Sequence, residues 1–172
     1  MRKGYVQIYT GNGKGKTTAA LGLSLRAAGA GHKVFIGQFT KGQLCCEHKA
    51  LERFSDLIVI RRYGEPGFID GKPSERDVEL ARVALDELRA VIAGGEYDLV
   101  ILEEANIATF YKLIDVADLI ALIKTKPEHV ELVFTGRYAD QQLIDAADLV
   151  TEMKEIKHYA KAGVRARTGI EK

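Results

Sequence analysis

Residues Thr10-Gly11-Asn12-Gly13-Lys14-Gly15-Lys16-Thr17 gather three glycines, two lysines and a closing hydroxyl in one short run. That combination suits the binding of a polyphosphate. Glycines let successive backbone N–H groups turn toward one anion. A helix that starts there adds its partial positive charge. Lys16 is spaced to reach the outer phosphates of ATP, and the Thr17 hydroxyl to ligate Mg²⁺. Lys14 supplies a further cation, while Asn12 and Thr18 complete the set expected against the nucleotide. The pattern G-x-x-x-x-G-K-[ST] is met except at its first glycine, where Thr10 stands with Gly11 directly after it. A glycine-rich turn with incidental lysines is the plainer alternative. The flanks decide against it, because Tyr5-Val6-Gln7-Ile8-Tyr9 reads as a strand and Thr17-Thr18-Ala19-Ala20-Leu21 opens a helix. No lysine stands at Gly11, which argues against a partition-ATPase type of loop.

A phosphate loop needs an acid at the end of a neighbouring strand to help hold the metal. Leu99-Val100-Ile101-Leu102-Glu103-Glu104 fits, with two carboxylates ending an apolar run. Side chains alternate across a strand, so one of the pair should face the metal. The other possibility is a solvated pair that opens a loop. Asn106 follows closely enough to reach the same place. Loops of this kind serve phosphoryl transfer, hydrolysis and mechanical work alike, so they do not choose among reactions.

The elements that must position these residues alternate along the chain. Strands are expected at Tyr5–Tyr9, Lys33–Phe39, Leu57–Arg62, Leu99–Glu103, Val130–Thr135 and Leu149–Met153. Helices are expected near Lys16–Ala30, Glu47–Phe54, Ser74–Ala93, Ile114–Lys124 and Asp140–Ala147. Several strands are continuous apolar runs, which suits a parallel sheet buried on both faces. Ser74 with Asp77 makes an N-terminal cap, and Gly94-Gly95 ends that helix. The expected fold is α/β and P-loop NTPase-like (RecA-like): a mostly parallel sheet flanked by helices, with right-handed crossovers.

At 172 residues the chain is expected to form a single domain over 1–172, with 154–172 a basic C-terminal segment that lies across the surface or reaches a partner. Tyr63–Pro73 is a long irregular stretch of the kind used for binding loops and lids. Net charge is +1, which gives no reason to expect nucleic acid or a membrane surface as partner. Cys45 and Cys46 are adjacent, and two neighbouring thiols cannot supply a four-ligand zinc site. With no signal-peptide pattern and no apolar run of membrane-spanning length, the chain is read as cytoplasmic.

Further blocks follow the loop. They are Gln38-Phe39-Thr40-Lys41-Gly42, Val100-Ile101-Leu102-Glu103-Glu104 and Thr135-Gly136-Arg137. Then come Ala147-Asp148-Leu149-Val150-Thr151-Glu152-Met153, Ile156-Lys157-His158, Ala162-Gly163-Val164 and Gly169-Ile170-Glu171. In this order and spacing the chain resembles the P-loop ATP:corrinoid adenosyltransferases, from Tyr5 to Glu171. The resemblance implies that the Co(I) of a reduced corrinoid attacks the 5′ carbon of ATP and that triphosphate leaves, in cobalamin synthesis or salvage. It implies roles for Lys16, Lys14 and Glu104 in catalysis, for Thr17 at the metal, for Glu104 at the metal or the ribose, and for Arg137 on phosphate. Phe68, Gln38 and Lys41 become corrinoid contacts, a flavoprotein the source of electrons, and a homodimer the assembly. Three departures stand out. Glu103-Glu104 replaces the usual Asp-Glu, Gly67-Phe68-Ile69-Asp70 replaces G-F-T-W in a chain without Trp, and three residues precede Gly4 where some members have a long covering segment. The competing readings are a nucleoside kinase-like enzyme, and a nucleotide-dependent ATPase or switch suggested by the basic tail.

Overall fold

The computed structural model describes residues 3–65 and 71–171. The chain runs β1 (Val6–Thr10), α1 (Lys16–Gly29), β2 (Val34–Phe39), α2 (Cys46–Leu51), β3 (Ile58–Tyr63) and α3 (Glu75–Gly94). It continues through β4 (Leu99–Glu103), α4 (Ala105–Phe110), α5 (Val116–Thr125), β5 (Glu131–Thr135), α6 (Gln141–Asp145) and β6 (Leu149–Glu152). Short 3₁₀ turns follow α2 at Glu52–Phe54 and β6 at Tyr159–Ala162.

The strands form one sheet in the order β3-β2-β4-β5-β1-β6, and every pairing is parallel. The apolar runs explain that arrangement. Every residue of β2 and of β4 is buried, as strands in the middle of a two-sided sheet must be. Every residue of the edge strand β6 is exposed. Leu85, Leu88 and Ile92 of α3 and Leu119 and Leu122 of α5 pack with Phe35, Phe39 and Phe134 on one face. Ala20 and Ala28 of α1 meet Ile36, Ile101 and Val133 on the other.

Local signals hold the helix ends. Ser74 and Asp77 cap α3 reciprocally, and Gly95 ends it in a left-handed conformation at φ 64°. Helix α4 is the element that periodicity does not reveal. Glu104 takes φ 60°, which swings the chain from β4 straight into α4 without a linker. Six residues are too few to display a helical period.

The consequence for the site lies in the strand order. β5 separates β1 from β4, so the loop after β1 and the acids after β4 sit at the same sheet edge, one strand apart. Crevices outside the carboxyl ends of parallel strands are where α/β sheets hold ligands.

Candidate active site

The departure from the phosphate-loop pattern at Thr10 has a simple structural account. Thr10 ends β1, paired with Glu152, and its hydroxyl accepts a hydrogen bond from Ala139 N at 3.3 Å. The left-handed conformations fall instead on Gly11 at φ 94° and Gly15 at φ 122°. A side chain at Gly11 would also meet Met153 O at 2.5 Å. The loop is fixed from outside by Gly13 N, which donates to Met153 O at 2.6 Å, and by Met153 N, which donates to Thr10 O at 2.8 Å. Asn12 and Thr18 are exposed beside it.

Lys16 is buried, with its ammonium donating to Gly11 O and Gly13 O at 2.7 Å each. Burial lowers its pKa, against the opposing pull of Glu104. The Thr17 hydroxyl donates to Glu103 Oε1. Glu103 is 1% exposed, and its second oxygen accepts from Gln38 Nε2 at 3.1 Å. So the acid that meets Thr17 is Glu103, whereas the sequence reading placed Glu104 with Thr17 at the metal. The left-handed turn at Glu104 is the physical reason. It makes Glu103 the last strand residue and Glu104 the N-cap of α4.

Glu104 nonetheless stays within the charge cluster. Burial and the neighbouring Glu103 charge push its carboxyl up to about 7, although Lys16, Lys41 and Arg137 all oppose the shift. Its backbone N donates to Thr135 Oγ1 at 3.0 Å, which ties β4 to β5 at this edge. Arg137 is exposed and close enough to act electrostatically on both Lys16 and Glu104. Asn106 does not face an open site. It is fully buried, its Nδ2 donates to Gly136 O at 3.0 Å, and its Oδ1 has no partner among the described residues.

The residues assigned to corrinoid separate. Gln38 is fully buried, with one end of its amide on Glu103 and the other 2.6 Å from His48 Nε2. Both ends of this side chain are spent in the interior, so it offers no exposed group to a second substrate in this conformation. Lys41 is partly exposed and pairs with Glu47 at 3.0 Å. Burial pulls its pKa down, but the charges of Glu103 and Glu47 outweigh this and leave it raised. Phe68 and Asp70 lie outside the described residues.

Lys14 behaves differently from the expectation for a phosphate contact. Its ammonium donates to Glu171 Oε1 at 2.8 Å, Ile170 O at 3.0 Å and Tyr159 Oη at 3.1 Å. Tyr159 Oη also hydrogen-bonds the Glu171 carboxylate, and Arg167 reaches it at 3.1 Å. Hydrogen bonds from Arg167, Lys14 and Tyr159 hold Glu171 far below the usual carboxylate range. These contacts set Tyr159, Ile170 and Glu171 of the C-terminal segment against Lys14 of the phosphate loop. A cleft of about 360 Å³ opens there, lined by Gly13, Lys14, Lys154, Lys157, His158 and Tyr159. Composition alone marks the tail as basic. Its partner on the loop has no local sequence signal.

Cys45, Glu47 and His48 also converge, with potential ligand atoms within 4.8 Å of one another. Their hydrogen bonds serve folding instead. Cys45 N donates to His48 Nδ1 at 2.9 Å and caps α2, while Lys41 occupies Glu47. Burial pushes the Cys45 thiol up.

A parallel sheet whose first strand feeds a glycine loop, with a buried acid on the loop threonine, defines a P-loop nucleotide-binding protein of the RecA-like kind. Solved structures agree on the fold. A RadB recombinase superposes with a TM-score of 0.57 at 14% identity, over 91% of this chain and 77% of that one. FlaH, a flagellar accessory protein of Methanocaldococcus jannaschii, gives 0.59 at 13% identity, over 88% and 72%. The family ATP:corrinoid adenosyltransferase BtuR/CobO/CobP matches residues 2–171. A corrinoid adenosyltransferase of Sinorhizobium is 37% identical across 98% of this chain and 80% of that protein. Those of Pseudomonas aeruginosa and Escherichia coli K12 are 35% and 31% identical, across 98% of this chain and 84% and 86% of theirs. The chain belongs to the ATP:corrinoid adenosyltransferase family, and is an enzyme that adenosylates corrinoids with ATP.

Proposed function

We propose that the phosphate loop holds the triphosphate of ATP as an intact leaving group, while the Co(I) of a reduced corrinoid substrate attacks the 5′ carbon of the ribose. A cobalt–carbon bond forms, the C5′–O bond breaks, and its electron pair leaves with triphosphate. The observation that carries this reading is a family match along nearly the whole chain, coincident with a complete phosphate cradle. Co(I) is itself a strong nucleophile. The protein's task is then to position two reactants and stabilise a leaving group of high negative charge.

The residues divide that task. Backbone N–H groups of the loop, apart from that of Gly13, which is spent on Met153 O, and the start of α1 face the phosphates. The Lys16 ammonium exchanges the carbonyls of Gly11 and Gly13 for phosphate oxygens, and Arg137 adds charge at the rim. The donor set at Thr17 and Glu103 fits Mg²⁺, because both offer hard oxygen ligands. The raised pKa of Glu104 points the same way, since two carboxylates crowded here favour a cation. Bound there, Mg²⁺ would neutralise charge on the phosphates. Glu104 then holds the outer side of that site, and Lys41 balances the acid pair. We also propose a flavoprotein as electron source, a homodimer as the working form, and the cytoplasm as the compartment. No helix among the described residues is long and apolar enough to cross a membrane.

Anaerobic incubation with ATP, Mg²⁺ and chemically reduced cobalamin tests the reading. A light-sensitive adenosylated product and equimolar triphosphate are expected. ADP in place of triphosphate would instead make this a phosphoryl-transfer enzyme.

A further inference from the structure

Behind the acid that meets Thr17 lies a chain of buried hydrogen bonds that ends on α2. Glu103 Oε2 accepts from Gln38 Nε2 at 3.1 Å, and Gln38 Oε1 lies 2.6 Å from His48 Nε2. At the far side of the imidazole, Cys45 N lies 2.9 Å from Nδ1, nearer than Cys45 O at 3.3 Å. All three side chains are nearly inaccessible: Glu103 is 1% exposed, Gln38 0% and His48 4%.

The polarity of this chain follows from its one fixed donor. A backbone N–H can only donate, so Nδ1 of His48 accepts and the ring proton sits on Nε2. Nε2–H therefore donates to Gln38 Oε1. That contact leaves the Gln38 NH₂ group toward Glu103, as a carboxylate requires. Were the amide reversed, its oxygen would face a carboxylate oxygen and its NH₂ a ring N–H, two repulsive contacts in place of two bonds. Burial lowers the His48 pKa and so favours the neutral ring that this arrangement needs.

We infer that His48 is a positioning residue for the metal-binding acid: it sets the orientation of the Gln38 amide, and through it fixes the Glu103 carboxylate on Thr17. The inference depends on the proposed Mg²⁺ site at Thr17 and Glu103. Partners that orient a ligating group from behind commonly affect metal affinity 10–100-fold. His48 stands on α2, outside the phosphate loop and the acidic strand, so neither motif points to it.

Mn²⁺ as the paramagnetic probe, titrated against the full-length protein with saturating ATP and without corrinoid, reads the effect directly. His48→Leu removes the donor and should weaken Mn²⁺ binding about tenfold or more. His48→Gln presents an amide donor near the Nε2 position and should stay within about threefold of the parent. The KM for corrinoid should change in neither. Circular dichroism and the thermal midpoint establish that each variant is folded, and Gln38→Leu repeats the test from the middle of the relay if His48→Leu is not. Unchanged Mn²⁺ affinity in a folded His48→Leu or Gln38→Leu protein overturns the inference. So does an equal loss in His48→Leu and His48→Gln, because that assigns the effect to the α2 cap. Glu103→Gln and Thr17→Ala separate the underlying reading: if both bind Mn²⁺ with ATP as the parent does, the metal site itself is wrong.

Discussion

The Lys14 ammonium lies 2.8 Å from the Glu171 carboxylate, joining the phosphate loop to a residue 157 positions away. Tyr159 and Arg167 meet the same carboxylate, so one acid gathers the tail onto the loop. An exposed ion pair of this kind adds little to global stability. What it does is hold Lys14 and the tail together, and this pairing can be tested.

Glu171→Gln should therefore loosen the tail without unfolding the sheet. Trypsin should cut at Lys154, Lys157 and Lys161 several-fold faster, while the remaining chain stays resistant. The urea midpoint should stay essentially that of the parent. Equal cleavage rates in parent and variant would show that the tail is held by other contacts.

Glu103 and Thr17 should separate in mutants. Glu103→Gln removes the carboxylate that Thr17 and Gln38 address, and should lower adenosylation at least about a hundredfold at ordinary Mg²⁺. Excess Mg²⁺ should restore part of the activity of Thr17→Ala, which keeps the acid, and little of Glu103→Gln. Initial rates against Mg²⁺ at fixed ATP decide between these outcomes.

Stability should depend on pH through Glu104. Its carboxyl titrates near 7 in the folded protein against an ordinary value of 4.5, so the folded chain binds this proton more tightly than the unfolded chain. The contribution is complete below about pH 4.5 and is lost as pH rises through about 7. Thermal midpoints at pH 5 and pH 8 should thus fall more in the parent than in Glu104→Gln. Saturating Mg²⁺ and ATP should raise the parent's midpoint more at pH 8 than at pH 5.

Gly136→Ala tests the junction behind the acid pair. Gly136 takes φ 126°, and an added Cβ would lie 3.1 Å from both Asn106 Cβ and Glu104 Oε2. Backbone strain should cost about 1–3 kcal/mol in urea denaturation. Displacement of Glu104 should lower adenosylation beyond what the lost stability explains. A variant as stable and active as the parent would show that the turn tolerates a side chain.

Much of this was legible along the chain. Strand positions follow from apolar runs, and the phosphate loop from its glycines and flanks, because both depend on residues close in sequence. Helix α4 was not legible, because one left-handed residue at Glu104 starts it and no period has room to develop. The choice between Glu103 and Glu104 was hidden for the same reason. Alternation along a strand says that two neighbours part, but not where the strand stops.

The sequence by itself determined a P-loop α/β enzyme of the corrinoid adenosyltransferase family, since local pattern and motif order carry both. Only the tertiary structure decided which partners the charged groups take. Lys14 turns to Glu171, Gln38 is buried between Glu103 and His48, and Thr17 reaches Glu103 across an intervening strand. Each of these pairs is assembled by parallel crossovers and a returning tail. Separation along the chain gives no measure of distance once a sheet has brought its strand ends to one edge.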